Sequence, residues 1–153
     1  MALQPTCIFC QILMGQAEAS FIYRDEFVTS FMDIQPLIRG HLLVIPNDHF
    51  ATLTTLDEHY GRHMFEVAQK LATAIRRSEL RSEGVNLYMA DGSAAGQTVF
   101  HCHMHVIPRF PGDGFKINFP ANYGIRPSRE ELDELAGQLR HTLNSNHEQM
   151  ARS

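Results

Sequence analysis

The chain reads as an α+β domain built on an antiparallel sheet. Three observations predict this: short segments rich in β-branched and aromatic residues joined by brief turns, a single long amphipathic stretch between the third and fourth of them, and no regular strand–helix alternation of the kind a doubly wound parallel sheet requires. At 153 residues the chain has the length of one domain, with interior enough for a core that needs no disulfide staples.

The elements follow in order. Ile8, Phe9, Ile12 and Leu13 recur at helical spacing before Gly15, which predicts a short helix with its natural stop. Strands are expected over 20–23, 27–32 and 41–45, the first two joined by a turn at Arg24-Asp25-Glu26. The longest helix is expected to begin near Thr55, where Thr55 and Glu58 match a capping box, and to end by Gly84. Tyr60, Met64, Val67, Ala68, Leu71 and Ile75 give it one apolar face. Two more strands are expected over 85–89 and 103–107, separated by a loop, Asp91–Gly96, whose glycines let backbone amides approach a ligand closely. Residues 115–126 read as loop. A last helix starts at Ser128 with Glu131 as its capping partner and carries Leu132, Leu135, Ala136, Leu139 and Leu143 on one side, and the polar tail from Asn144 is expected to fray. Residues 1–110 therefore form the core, and 111–153 a loop and C-terminal helical extension of the same domain.

Charge and composition exclude several functions. The formal net charge is −4 with histidine neutral, and no basic stripe is present, which argues against a nucleic-acid polymer as partner. The N-terminus lacks a basic segment followed by an apolar one, and no apolar run approaches membrane-spanning length, so a cytoplasmic protein without a membrane partner is expected. Three cysteines cannot all pair within one chain. Two of them, Cys7 and Cys10, form a Cys-x-x-Cys whose chemistry in a reducing compartment is metal binding or redox exchange.

The densest chemical signal is His101-Cys102-His103-Met104-His105, running into Val106-Ile107. On a strand, alternate side chains share a face, so the three imidazoles would project together while Cys102, Met104 and Val106 pack on the other side. Such a row can act as nucleophile, proton shuttle or anion-facing donor, and it can equally be a metal comb or a polar strand face.

The neighbours of this row narrow the choice. Ala95-Gly96-Gln97-Thr98-Val99 precedes it, with Met89-Ala90-Asp91-Gly92-Ser93 before that. Farther upstream stand Cys7-Ile8-Phe9-Cys10, Phe31-Met32-Asp33-Ile34-Gln35-Pro36 and Gly40-His41-Leu42-Leu43-Val44-Ile45-Pro46-Asn47-Asp48-His49. Together and in this order, over roughly residues 7–110, these segments resemble the histidine triad (HIT) family of nucleotidyl hydrolases and transferases.

The resemblance implies a five-stranded antiparallel sheet with helices on one face, paired into a homodimer. It implies His103 as nucleophile toward the α-phosphorus of a purine nucleotide, with a covalent nucleotidyl-histidine intermediate. His105 would donate to phosphate oxygen or the leaving group, and His41 would support the row from a buried position. Asp33 would hold ribose hydroxyls and the side chains of Gln97 and Thr98 would contact phosphate. Phe9, Phe31, Ile34 and Leu43 would wall the base pocket, and Asn86 joins the nucleotide-binding set. Members with this Cys-x-x-Cys carry a structural zinc, which here would use Cys7, Cys10, His49 and His101 and leave no open coordination position. Dinucleoside polyphosphates, nucleoside phosphoramidates and adenylated small molecules are the implied substrates. The alternative is a nucleotide-binding regulatory protein with only incidental hydrolysis.

Departures from the pattern are also visible. Ala90 stands where Asn or Gln is usual, Arg39 where proline is common, and Asn47 where lysine is common. His59, His63, His141 and His147 are expected on the surface, and Cys102 is expected to be packed rather than reactive.

Overall fold

The structure is a computed structural model describing residues 2–150, with side chains to 145. It divides into two compact units, Met1–Phe115 and Lys116–Ser153. In the first, α1 (Ile8–Leu13) leads into β1 (Phe21–Arg24), β2 (Val28–Met32) and β3 (Leu42–Pro46). The long helix α2 (Glu58–Arg77) follows, then β4 (Gly84–Tyr88) and β5 (Met104–Arg109). All strand pairs are antiparallel, as expected, and the strands lie in the order β1-β2-β3-β5-β4.

The alternation of apolar residues sets the two faces of the sheet. Leu42 and Val44 of β3, Val28 of β2 and Val106 of β5 point to one side, where they meet Met64, Val67, Ala68, Leu71 and Ile75 of α2. Leu43 and Ile45 point to the other, where they join Phe31 and the α1 residues Phe9 and Ile12. The expectation of helices on one face holds for α2, whereas α1 covers part of the opposite face. Its Phe9 and Ile12 have nowhere else to bury, because α2 already fills the first side.

Two helix starts illustrate how side chains choose between local partners. Thr55 does not open α2, because its hydroxyl turns back to accept from the Thr52 amide and closes a capping box around a short 3₁₀ turn, Leu53–Thr55. Asp57 is the N-cap instead, its carboxylate accepting from the His59 amide. At the β1–β2 turn, Asp25 Oδ1 accepts from the amides of Phe27 and Val28, which explains the tight reversal there.

The first unit closes on a knot of charge. Arg109 donates through Nε and Nη2 to the Asp113 carboxylate at 2.7 and 3.0 Å, and Nη2 also reaches the Phe115 carbonyl. This ties the chain to Phe115, the last residue of the first unit. In the second unit, Ser128 caps α3 (Arg129–Met150) by accepting from the Glu131 amide. The helix continues through Asn144 to Met150 instead of fraying, since no proline or glycine interrupts 138–150. Leu132, Leu135, Leu139 and Leu143 remain exposed along it. The side chain of His147 lies outside the described residues. Among the described residues, no helix is long and apolar enough to cross a membrane.

Candidate functional site

The histidine row lies at the entry to β5, on the face that carries α1. Register fixes this: His105 pairs with Leu43 of β3 and with Tyr88 of β4, while Val106, one residue on, belongs to the α2 core. Cys102 follows the expected alternation, packing its sulfur 3.7 Å from Met89 Sδ, and burial raises its thiol pKa to about 11.

Hydrogen bonds to groups that can only donate or only accept assign the tautomer of each ring. The Leu37 amide donates to His41 Nδ1 at 3.1 Å, so the His41 proton sits on Nε2. That nitrogen donates to His105 Nδ1 at 2.9 Å, which leaves His105 Nε2–H as an outward donor. His103 Nδ1 donates to the His101 carbonyl at 2.7 Å, so its Nε2 presents a lone pair. The His103 and His105 rings lie 4.9 Å apart. Burial keeps the rings neutral: it lowers His41 and His103 below the ordinary imidazole value, and with repulsion from His103 and His41 brings His105 to about 4. Asp33 Oδ2 lies 3.6 Å from His41 Nε2, and its Oδ1 accepts from the Gln35 amide.

Asp33 also lines a cleft of about 800 Å³ between α1 and β1. Ile12, Ala17, Ala19, Phe21, Met32 and Ile34 supply its apolar surface. Ile34 is 91% exposed at the rim of this cleft. Phe9, Phe31 and Leu43 do not wall this cleft. They are buried in the cluster with Ile12 and Ile45, where Phe9 packs its ring 5.3 Å from His103 and braces it.

Two other expected contacts have partners within the protein. Gln97 spends Nε2 on the carbonyls of Ala51 and Val99 and Oε1 on the Gly92 amide, so its side chain shapes the Asp91–Gly96 loop and has no N–H left for phosphate. Asn86 gives its side-chain carbonyl to Arg109 and serves the strand-end knot. Thr98 is exposed at the loop end. Ala90 is 6% exposed, and Arg39 is exposed. Asn47 bridges Thr29 and the Asp25 carbonyl. His63 is half-buried rather than superficial, because Asp25 Oδ2 holds its Nε2 at 2.6 Å.

Tyr88 was not anticipated. Its ring lies 5.6 Å from that of His105 and its hydroxyl donates to the Ala95 carbonyl. Alternation in β4 would have found it, since it faces His105 directly in the register.

Cys7, Cys10, His49 and His101 converge elsewhere, with donor atoms all within 4.8 Å of one another. Bonds of about 2.0–2.3 Å to zinc separate tetrahedral donors by about 3.5 Å. Cys10 Sγ lies 3.3 Å from His49 Nδ1 and 3.5 Å from His101 Nδ1, and Cys7 Sγ also lies 3.5 Å from His101 Nδ1. His101 Nε2 donates to the Pro46 carbonyl at 3.0 Å, which turns the Nδ1 lone pair toward the sulfurs. The donor set and its orientation therefore fit a closed tetrahedral ion.

With this geometry in view, a family model for the HIT domain matches residues 14–112. The chain belongs to the HIT family. A HIT family protein from Bacillus anthracis superimposes with a TM-score of 0.83 at 38% identity, covering 90% of this chain and 97% of that one. A zinc-bound histidine triad family protein from Mycobacterium smegmatis gives 0.71 at 40% identity, covering 92% and 97%. The Arabidopsis thaliana adenylylsulfatase HINT3 is 34% identical over 137 residues, 90% of this chain and 67% of that protein. The HIT fold accounts for the sheet order and for the placement of the triad beside α1.

Proposed function

We propose that this HIT protein is a nucleotidyl hydrolase or transferase acting at the α-phosphate of a purine nucleotide. The observation that carries the reading is the assignment of protons along the row: His103 Nε2 offers a lone pair while its neighbour, His105 Nε2, offers a proton. In the first step His103 Nε2 attacks the α-phosphorus, a P–N bond forms, and the bond to the leaving group breaks. His105 donates to a phosphate oxygen or to the departing group, help typically worth about 10²- to 10⁴-fold in rate. Water or another acceptor then attacks phosphorus and the P–N bond breaks, returning His103 to its starting form. His41, itself oriented by the Leu37 amide, keeps His105 in the donating tautomer.

The cleft beside Asp33 suits a nucleoside: apolar walls for the base and a carboxylate acceptor for ribose hydroxyls. Thr98 is a phosphate contact from the loop. The substrates that match are adenylated compounds, nucleoside phosphoramidates and dinucleoside polyphosphates, and the adenylylsulfatase relative supports the first class. Cys7, Cys10, His49 and His101 hold a structural zinc, which when bound supplies a rigid link between α1, the segment after β3 and the triad. β4 lies at the edge of the sheet with Leu87 and Tyr88 half-exposed, which supports pairing of two copies into a homodimer.

The test is a single-turnover experiment with an adenylate labelled at the α-phosphorus. A base-stable, acid-labile nucleotidyl-protein that forms and discharges faster than the steady-state turnover supports the enzyme. Binding without a labelled protein, or with discharge slower than turnover, would instead favour the regulatory nucleotide-binding reading.

A further inference from the structure

The Cys-His cluster contains a detail that four-ligand geometry does not require. Its four residues are not equally sheltered: Cys10, His49 and His101 are buried, whereas Cys7 at the N-cap of α1 is partly open to solvent. Cys7 and Cys10 are three residues apart at the start of a helix, a spacing that separates their Cα atoms by about 5 Å. A disulfide spans about 4.4–6.8 Å between Cα atoms. Cys102 cannot join them, since its sulfur packs against Met89 on the α2 face of the sheet.

We propose that Cys7 and Cys10 form an oxidation site, at which a hydroperoxide converts the two thiols into a disulfide and so releases His101 from its place behind the nucleophile. The Cys7 thiolate attacks the peroxide, the O–O bond breaks, and the products are a Cys7 sulfenic acid and hydroxide, which takes up the proton the thiol gave up and becomes water. The Cys10 thiolate then displaces hydroxide from that sulfur. In sum two thiols lose two electrons and two protons, and one hydrogen peroxide becomes two waters.

The consequence runs through one residue. Both sulfurs lie 3.5 Å from His101 Nδ1, and the carbonyl of the same residue holds the Nδ1 proton of His103 at 2.7 Å. Once the sulfurs are bonded to each other, only His49 and His101 remain as donors, too few for a closed tetrahedral site. His101 then keeps the Pro46 hydrogen bond and its ring contacts with Phe9 and His49 but loses the ligand position at Nδ1, so the residue whose carbonyl sets the His103 tautomer is held at one ring nitrogen instead of two. The effect on catalysis rests on the proposed function, whereas the disulfide and the loss of metal do not.

The experiment adds hydrogen peroxide in small molar excess to the zinc-loaded protein. Free thiols should fall from three to one per chain. One zinc per chain should pass to a chromogenic chelator, and the peptide holding Cys7 and Cys10 should lose the mass of two hydrogens. The ¹⁵N resonances of the His103 ring should shift, and single-turnover adenylylation should slow at least about tenfold, a loss of about 1.4 kcal/mol in barrier terms. Dithiothreitol with added zinc should reverse every change, and Cys102→Ser should respond as the wild type does. A Cys7 sulfinic acid without the cross-link, a bond to Cys102, or a Cys7–Cys10 bond with zinc retained and His103 resonances unmoved would each overturn the proposal. If the reduced, zinc-loaded protein formed no nucleotidyl-histidine, the proposed function would fail, and the thiol, zinc and resonance readouts would still decide the oxidation site.

Discussion

Two histidine clusters lie back to back in this protein, built from the same side chain and organised in opposite ways. In the cluster of Cys7, Cys10, His49 and His101 the donor atoms converge on one point, and the Pro46 carbonyl holds His101 turned toward it. In the row of His41, His103 and His105 the bonds spend one nitrogen of each catalytic ring: His41 donates to His105 Nδ1, and His103 Nδ1 donates back to the His101 carbonyl. This leaves one lone pair on His103 Nε2 and one N–H on His105 Nε2. The first arrangement suits a resident ion and the second a passing phosphate. The difference comes from the partners of each ring and not from the residue type: a carbonyl behind His101 Nε2 turns one nitrogen inward, and a carbonyl behind His103 Nδ1 turns the other outward.

The comparison breaks most sharply at its nucleophile. His103→Ala should abolish the nucleotidyl-protein and cut turnover on the order of 10⁴-fold or more, as removal of a covalent nucleophile does. Equilibrium binding of a nucleoside monophosphate should change little, because Asp33 and the cleft are untouched. His105→Ala should cost about 10²- to 10⁴-fold in the adenylylation step while still allowing the label to accumulate. A label that accumulates at the wild-type rate would show that His105 faces elsewhere.

On the other side of the comparison, Cys10→Ser should lose the metal and lower the melting temperature. Zinc present at a thousandfold excess over its dissociation constant stabilises by about 4 kcal/mol, or about 8–16 °C at roughly 2–4 °C per kcal/mol for a chain of this size. Calorimetry of wild type with and without a chelator checks the same quantity without mutation. Unchanged melting in both would remove the structural role of the cluster.

A histidine outside both clusters sharpens the contrast, since His63 is paired with a charge. Burial alone would raise the Asp25 carboxyl, but hydrogen bonds from His63, the Val28 amide, the Tyr23 hydroxyl and the Phe27 amide outweigh it and hold the group well below the usual carboxylate range. Because the folded value is depressed, the stability it contributes is fully present above about pH 4, the ordinary carboxylate range, and is lost as acid protonates the folded form. Asp25→Asn should therefore destabilise clearly at pH 7 and progressively less below pH 4, as read by denaturant unfolding. An equal penalty at both pH values would mean that charge is not what Asp25 contributes. The smallest effect is expected at His41→Ala, about an order of magnitude in adenylylation, the worth of one buried hydrogen bond that sets a tautomer.

Much of this was legible in the chain itself. Alternation along β5 foretold that Met104 and Val106 pack toward α2, and the α2 stripe foretold its core contacts, because period and burial are local properties. What escaped depends on partners distant in sequence. Gln97 and Asn86 take the Ala51 carbonyl and Arg109 as partners, contacts across the chain that no local pattern announces. His63 looks solvated until the β1–β2 turn folds Asp25 onto it. Thr55 and Asp57 compete to cap within three residues, and the winner is set by whether Thr52 is there to take the hydroxyl. The tautomers rest on the Leu37 amide and on the Pro46 and His101 carbonyls, backbone groups whose positions no side-chain pattern encodes.

The most direct test of the account is to quench a single turnover of α-labelled adenylate in base and locate the label by peptide mass spectrometry. The account predicts one adenylyl group on His103, formed before product appears and absent from His103→Ala. An adenylyl group on His101 or His105, or product released from wild type with no labelled protein at any time point, would contradict it.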